Sequence, residues 1–139
     1  MQITATREEK LKVVYSCLCS GLPYFVDYGF TLDYSNADYK AAKKRLEEQQ
    51  AAGKFDGMCS TICIEDIQTE MLRGGATLKF KGGEGNKSSH VTPLNLEVID
   101  ANWDKVDTRH LMDIINENDD ANSTDCVMQG LLFGEIVYG

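Results

Sequence analysis

The sequence predicts an α+β fold in which a small, mainly antiparallel sheet of about four short strands is covered by about six helices. Two patterns lead to this prediction. Several short segments alternate apolar and polar residues, as strands with one buried face do, and longer segments repeat apolar residues every three or four positions, as amphipathic helices do. Neither a linker nor a long repeat interrupts the sequence, so we expect residues 1–139 to form a single compact domain.

The first helix is predicted at about 7–20. Thr6 is followed three residues later by Glu9, which is the pattern of a capping box, and apolar residues then recur at helical spacing. Gly21 and Pro23 interrupt this spacing, so we expect the helix to end before them.

A strand and a second helix are predicted next. Aromatic residues and leucine alternate with polar residues over 28–34, which favours a strand with one buried face. Ser35 or Asn36 can cap a helix that extends to about Gln50 and is ended by Gly53. The apolar face of this helix is thin, so we expect it to lie on the surface.

A short motif occurs twice, at 62–67 and at 94–99. In each copy, alternating apolar residues are followed by a glutamate, which is favourable in the first turn of a helix because it faces the positive end of the helix dipole. Each copy therefore predicts a strand that leads into a helix. The first strand is expected at 61–64, and its helix ends at Gly74.

A hairpin is predicted between the two copies of this motif. Residues 76–81 alternate as a strand, the glycine-rich segment 82–90 forms a flexible loop, and a second strand follows near 91–96. Pro93 cannot donate a backbone hydrogen bond, so we expect that second strand to lie at an edge of the sheet.

The last third of the chain is predicted to be helical, at about 97–106, 109–116 and 123–137. Asn122, with Asp125 three residues later, is predicted to cap the last of these helices. That helix is apolar on several sides, which favours a position in the core of the domain.

The composition favours a reduced, intracellular protein. The first residues carry charges where a secretory signal needs an apolar stretch, and no apolar run is long enough to cross a membrane. An odd number of cysteines without an export signal favours free thiols over disulfides. We therefore expect a cytoplasmic protein with no membrane contact. The five cysteines are Cys17, Cys19, Cys59, Cys63 and Cys126.

The motifs that suggest a cofactor do not match their patterns, so we predict neither a cofactor nor a metal ion. The cysteines lack the spacing of a zinc site. A calcium loop that starts at Asn116 places Ala121 where glycine is needed and Val127 where glutamate is needed. In the loop that resembles a phosphate-binding loop, Asn86 replaces the glycine that precedes the lysine, and a strand follows instead of a helix.

Negative charge is concentrated in one region. The formal net charge is −8, and residues 97–125 contain nine acids and two bases. The one basic helix face, at 40–45, has no interleaved aromatics, so we do not predict direct nucleic-acid binding. Four acids, Glu97, Asp100, Asp104 and Asp107, are spaced three, four and three residues apart, so on a single helix they form one stripe. The candidate partner-binding residues are Glu97, Asp100, Asp104, Asp107, Asp113, Glu117, Asp119 and Asp120.

These observations predict a non-enzymatic acidic module that docks on a basic surface of a partner protein and blocks or regulates it. In its sharpest form, this is an inhibitor of a nucleic-acid-handling host-defence enzyme, of the kind that phages and mobile elements encode. One alternative is a small thiol- or metal-dependent enzyme that uses Cys59, Cys63 or Cys126 with His110. Another is a structural subunit that forms homo-oligomers through residues 126–138. A third is that the acids serve only solubility.

Overall fold

The computed structural model describes residues 3–139 and shows, over that range, an α+β fold of seven α-helices and a three-stranded antiparallel sheet. None of these helices has the length and apolar character needed to cross a lipid bilayer. The strands are β1 (Phe30–Asp33), β2 (Leu78–Gly82) and β3 (Val91–Leu94). The helices are α1 (Arg7–Ser20), α2 (Leu22–Asp27), α3 (Asn36–Ala51), α4 (Ile64–Arg73), α5 (Leu96–Asn102), α6 (Thr108–Ile115) and α7 (Ala121–Phe133).

The sheet is a meander with the strand order β1-β2-β3. Phe80 on β2 is paired with Leu32 on β1, and Leu78 is paired with Leu94 on β3. The predicted hairpin of β2 and β3 is confirmed. Pro93 lies on β3, which is an edge strand as predicted, because an edge can accommodate a residue that lacks a backbone N–H.

Helix α7 passes through the core, as its apolar sequence predicts. Val127 and Leu131 are fully buried, and the helix packs against α1, α5 and α6. Within residues 126–138, the large apolar side chains that remain exposed are Ile136 and Val137. The apolar surface of α7 is therefore occupied by the protein's own interior, and assembly through residues 126–138 stays a prediction.

The predicted strand at 61–64 is wrong. The sheet has three strands over the described residues, and Cys63 is the N-cap of α4. Its backbone is extended, with φ −102° and ψ 169°, but its N–H donates to Asp66 Oδ2 at 2.9 Å and not to a neighbouring strand. Alternating apolar residues indicate one buried face, but they do not supply the partner strand that a sheet requires.

Helix α2 is absent from the prediction, which ends helical structure at Gly21 and Pro23. Proline is compatible with the first turn of a helix, where a backbone N–H has no partner in any case, and Pro23 lies in the first turn of α2. Gly21 separates α1 from α2. A Cβ atom at Gly21 would lie 2.7 Å from the Cys17 carbonyl oxygen and 3.4 Å from that of Thr124, so the chain turns where only glycine fits.

The C-terminal helices differ from their predicted limits. Helix α5 ends at Asn102 and is followed by a 3₁₀ helix over Trp103–Lys105, where one helix was predicted over 97–106. Asp120 and not Asn122 caps α7, since its side chain accepts from the Ser123 N–H. Helix α7 ends at Phe133 because Gly134, at φ 76°, adopts the left-handed conformation typical of a C-cap.

Candidate interaction surface

The segment 104–113, which carries several of the predicted acids, runs antiparallel to α7. Near the C-terminal end of α7, the Lys105 side chain approaches Gly134. Near its N-terminal end, His110 Nδ1 lies 3.2 Å from Ser123 Oγ. Acids of the segment 104–113 therefore lie beside α7. Those near residue 113 approach the acids that precede α7.

Two of the eight predicted acids meet at Ser123 in the first turn of α7, and a third, Asp107, lies near enough to act on Cys126 in the second turn. Asp113 Oδ2 accepts a hydrogen bond from Ser123 Oγ at 3.4 Å, and Asp120 Oδ1 accepts from the Ser123 N–H at 2.8 Å. Burial raises the pKa of the Cys126 thiol, and the nearby charges of Asp107 and Asp120 contribute to raising it. Carboxylates that are 13 residues apart in the sequence are thus brought to one place by the packing of α6 on α7.

Two of these acids also stabilise the helices that they precede. Asp107 caps α6 by accepting from the Arg109 N–H at 2.9 Å, and hydrogen bonds from the Arg109 side chain and backbone lower the pKa of its carboxyl. The Ser123 N–H lowers the pKa of Asp120 in the same way at α7. Both side chains satisfy a backbone N–H at the start of a helix, so Asp107 and Asp120 have a role in the fold whether or not a partner binds.

The predicted single stripe of four acids does not lie on one continuous helix. Glu97 and Asp100 belong to α5, Asp104 lies in the 3₁₀ helix, and Asp107 caps α6. Asp100 Oδ1 is 3.1 Å from the Nζ of Lys10 on α1. The start of the acidic region is therefore partly neutralised by a cation from the other end of the chain.

Most of the predicted acids are nevertheless without a positively charged partner. Asp100 pairs with Lys10 and Asp107 pairs with Arg109 at 3.3 Å. The other six form no ion pair with any residue in the range 3–139, and five of these six are exposed while Asp119 is half-buried. The five exposed, unpaired acids are Glu97, Asp104, Asp113, Glu117 and Asp120.

Asp125 is an exception within the acidic region, because it points into the protein. It is buried, and its Oδ2 accepts from the Tyr28 hydroxyl at 2.7 Å and from Gln129 Nε2 at 3.2 Å. Burial, together with the nearby Asp125 carboxylate, raises the pKa of Tyr28 well above its usual range. Asp125 holds α7 to the segment that follows α2 and does not contribute to an external acidic surface.

Cys63 and Cys126 lack the environment of an activated nucleophile. His110 Nδ1 contacts Ser123 Oγ, so this ring nitrogen is engaged away from Cys126. Cys63 Sγ donates to Asp66 Oδ2 at 3.0 Å, and burial raises the pKa of Cys63 as it does that of Cys126. An activated thiol requires a lowered pKa, which is the opposite shift.

The ligands proposed for a metal site are dispersed. Cys59 is exposed on the segment between α3 and α4, whereas His110 lies on α6. In the part of the chain that the structure describes, no three His, Cys, Asp or Glu side chains are grouped to hold a metal ion.

The structure also contains an open groove along α1, of about 1350 Å³, which the sequence analysis missed. Lys12, Tyr15 and Cys19 are spaced three and four residues apart, so they form one stripe of α1, and they line the groove. Residues of α6 line it as well, and so do residues of α3, of α4 and of the segment between those two helices. Two of the predicted acids, Glu117 and Asp119, which follow α6 in the sequence, are also among its lining residues.

Comparisons with protein families, with curated proteins and with solved structures found no match to this chain.

Proposed function

We propose that this protein is a non-enzymatic acidic binding module that docks on a basic surface of a partner protein and blocks or regulates it. One observation supports this proposal above the others: six of the eight predicted acids have no ion pair within residues 3–139, and five of them are exposed. The structure thus leaves these carboxylates available to a cationic partner.

Unpaired carboxylates in one region produce a negative potential that extends into solvent. Such a potential raises the rate of encounter with a positively charged surface by 10-fold to 1000-fold at low ionic strength. Carboxylates can also occupy the lysine and arginine sites that an enzyme uses to hold phosphates. The sharpest form of the proposal is therefore an inhibitor of a nucleic-acid-handling enzyme, of the kind that phages and mobile elements use against host defence.

The test compares two variants that each lose three negative charges. The first is E97Q/D104N/E117Q, which changes exposed acids of the candidate surface and leaves the capping residues intact. The control is E47Q/E48Q/E84Q, which changes exposed acids on α3 and in the hairpin loop. Each protein is immobilised and exposed to a bacterial lysate, and bound proteins are eluted with salt or with double-stranded DNA.

We expect wild type and control to retain the same basic proteins, and the first variant to retain at least tenfold less of them. Elution by DNA is expected if the partner uses that surface for phosphates. Equal retention by both variants would contradict the proposal. Elution by salt but not by DNA would support an acidic docking module while removing the nucleic-acid-enzyme form of it.

A further inference from the structure

We propose that the groove along α1 receives one amphipathic helix of the partner, with apolar residues on one face and lysine or arginine on the other. This inference rests on the proposed function, since Glu117 and Asp119, two of the acids without an ion pair in the described residues, line the groove. The inference adds to the proposed function that the partner segment is a helix and that this helix binds in the groove.

The size and the walls of the groove favour a helix. A cylinder about 10 Å across fills 1350 Å³ over about 17 Å, which is roughly 11 residues or three turns of α-helix. The regular elements that line the groove are α1, α3, α4, the 3₁₀ helix and α6, and none of β1–β3 contributes a residue. An extended peptide would find no strand edge to pair with, whereas a helix satisfies its own backbone hydrogen bonds.

The exposed apolar residues of the groove favour an amphipathic occupant. Met58 is 78% exposed, and Met112 and Ile115 are 39% and 45% exposed. Met112 and Ile115 are three residues apart on α6, so they present one apolar face. Methionine side chains are flexible and polarisable, which suits a surface that accepts side chains of different shapes.

The charges of the groove favour a basic occupant. Seven carboxylate residues and three bases line it. Of the bases, Arg73 is already bound to Glu8 Oε1 at 2.9 Å and to the buried Glu70. Lys12 and Lys54 are therefore the bases left to balance the other acids. An acidic or neutral helix would leave these carboxylates without a countercharge, whereas lysine or arginine side chains would pair with them.

A second copy of this chain fits the groove less well. Its most basic helix is α3, with Lys40, Lys43 and Lys44. Of the larger apolar side chains of α3, Leu46 is buried in the core of its own molecule and Tyr39 is half-buried, so α3 offers little free apolar surface.

The test uses two synthetic 18-residue peptides with the same number of leucines and lysines. One places leucine at helical spacing to form an apolar stripe, and the other alternates the two residues so that no stripe exists on a helix. Binding is measured by fluorescence anisotropy on the intact protein. The site is located by the rate at which maleimide labels Cys19, which lines the groove, relative to Cys126, which lies on α7 and does not line the groove.

Two variants provide the matched comparison. Ile115→Ser removes an exposed isoleucine from the groove, and Ile64→Ser removes a comparably exposed isoleucine, at 56%, from outside it. We expect the striped peptide to bind at least tenfold more tightly than the alternating one. We also expect it to slow the labelling of Cys19 at least fivefold without changing that of Cys126. Ile115→Ser is expected to weaken binding about tenfold, and Ile64→Ser to leave it unchanged.

Three results would overturn the inference. They are the absence of binding by the striped peptide, equal binding of the two peptides, and binding that leaves Cys19 fully reactive. The last two would indicate a diffuse electrostatic contact, which is compatible with the proposed function, because that function is tested separately by E97Q/D104N/E117Q. Protection of Cys19 that rises with protein concentration in the absence of peptide would assign the groove to a second copy and would also overturn the inference.

Discussion

Replacing Gln129 with methionine should loosen the C-terminal residues from α7. Gln129 is fully buried, and its side-chain amide makes four hydrogen bonds. Its Oε1 accepts from the backbone N–H groups of Val137 and Tyr138, each at 2.8 Å. Its Nε2 donates to the Tyr138 carbonyl at 2.9 Å and to Asp125 Oδ2 at 3.2 Å. One amide therefore fastens the chain terminus and also donates to one oxygen of a buried carboxylate.

The size of the effect follows from these contacts. Methionine has a similar volume but cannot make the hydrogen bonds, each of which is worth about 1 kcal/mol net. Because Val137 is half exposed, the freed backbone groups can bind water, so the loss should be nearer 3 than 4 kcal/mol. Domains of this size are stable by about 5–15 kcal/mol, so the variant should still fold, with a Tm lower by roughly 10 °C.

Gln68→Met is the matched control, because Gln68 is also buried in a helix and its Oε1 has no hydrogen-bond partner within the described residues. Removing an unsatisfied amide should change stability by no more than about 0.5 kcal/mol, or increase it. Urea unfolding of both variants, followed through the fluorescence of the buried Trp103, gives the comparison. Equal losses in the two variants would refute a fastening role for Gln129.

Three further predictions concern the acidic turn, the helix cap and the thiols. Glu117 adopts φ 58°, which a non-glycine residue adopts at a cost, so Glu117→Gly should raise the free energy of unfolding by about 1 kcal/mol in a urea titration. The pKa of Asp120 is lowered in the folded state, so its contribution to stability is present above about pH 4 and is lost as the pH falls further. Asp120→Asn should keep the helix cap, because asparagine also caps, and should flatten the pH dependence of stability. Unfolding curves measured from pH 5 to 2 check this. Mass spectrometry after alkylation of the native protein should show Cys59 labelled and the fully buried Cys17 unlabelled until urea unfolds the chain.

Elements with a local signal could be predicted from the sequence. In the capping box of α1, the Thr6 N–H donates to Glu9 Oε1 at 2.9 Å and the Glu9 N–H donates to Thr6 Oγ1 at 3.2 Å. Donor and acceptor are three residues apart, so both ends of the interaction are visible in the sequence. The cap of α3, in which Ser35 Oγ accepts from the Asp38 N–H, is equally local, and both helices begin where predicted.

Elements that depend on distant contacts could not be predicted in this way. The break at Gly21 is required by the close approach of Thr124, which is 103 residues away in the sequence. The extended residues near Cys63 have the alternation of a strand, but no strand of the sheet lies beside them to pair with. Periodicity reports which face of a segment is buried, and it does not report which other segment covers that face.

The candidate surface likewise has features that the sequence predicts and features that depend on distant contacts. Composition locates the acidic region, but it cannot distinguish Asp120, which caps α7 at the surface, from Asp125, which is buried against Tyr28. The groove along α1 depends on α6 and on the segment after α3, which are far apart in the sequence. The spacing of Met112 and Ile115 is a signal for an exposed apolar face only once the other face of α6 is known to be buried.

The acids of residues 97–125 differ in how much they stabilise the fold. Only an acid that does not stabilise the fold can be replaced to test binding without also changing stability. Asp107 and Asp120 cap helices, so removing either one destabilises the protein and confounds a binding measurement. Glu117 is in a backbone conformation that glycine adopts more easily, so a glutamate there costs the fold backbone free energy that glycine would not cost. A variant at Glu117 that raises stability and lowers partner retention would separate the two roles, because a carboxylate that served only the fold could not show opposite effects.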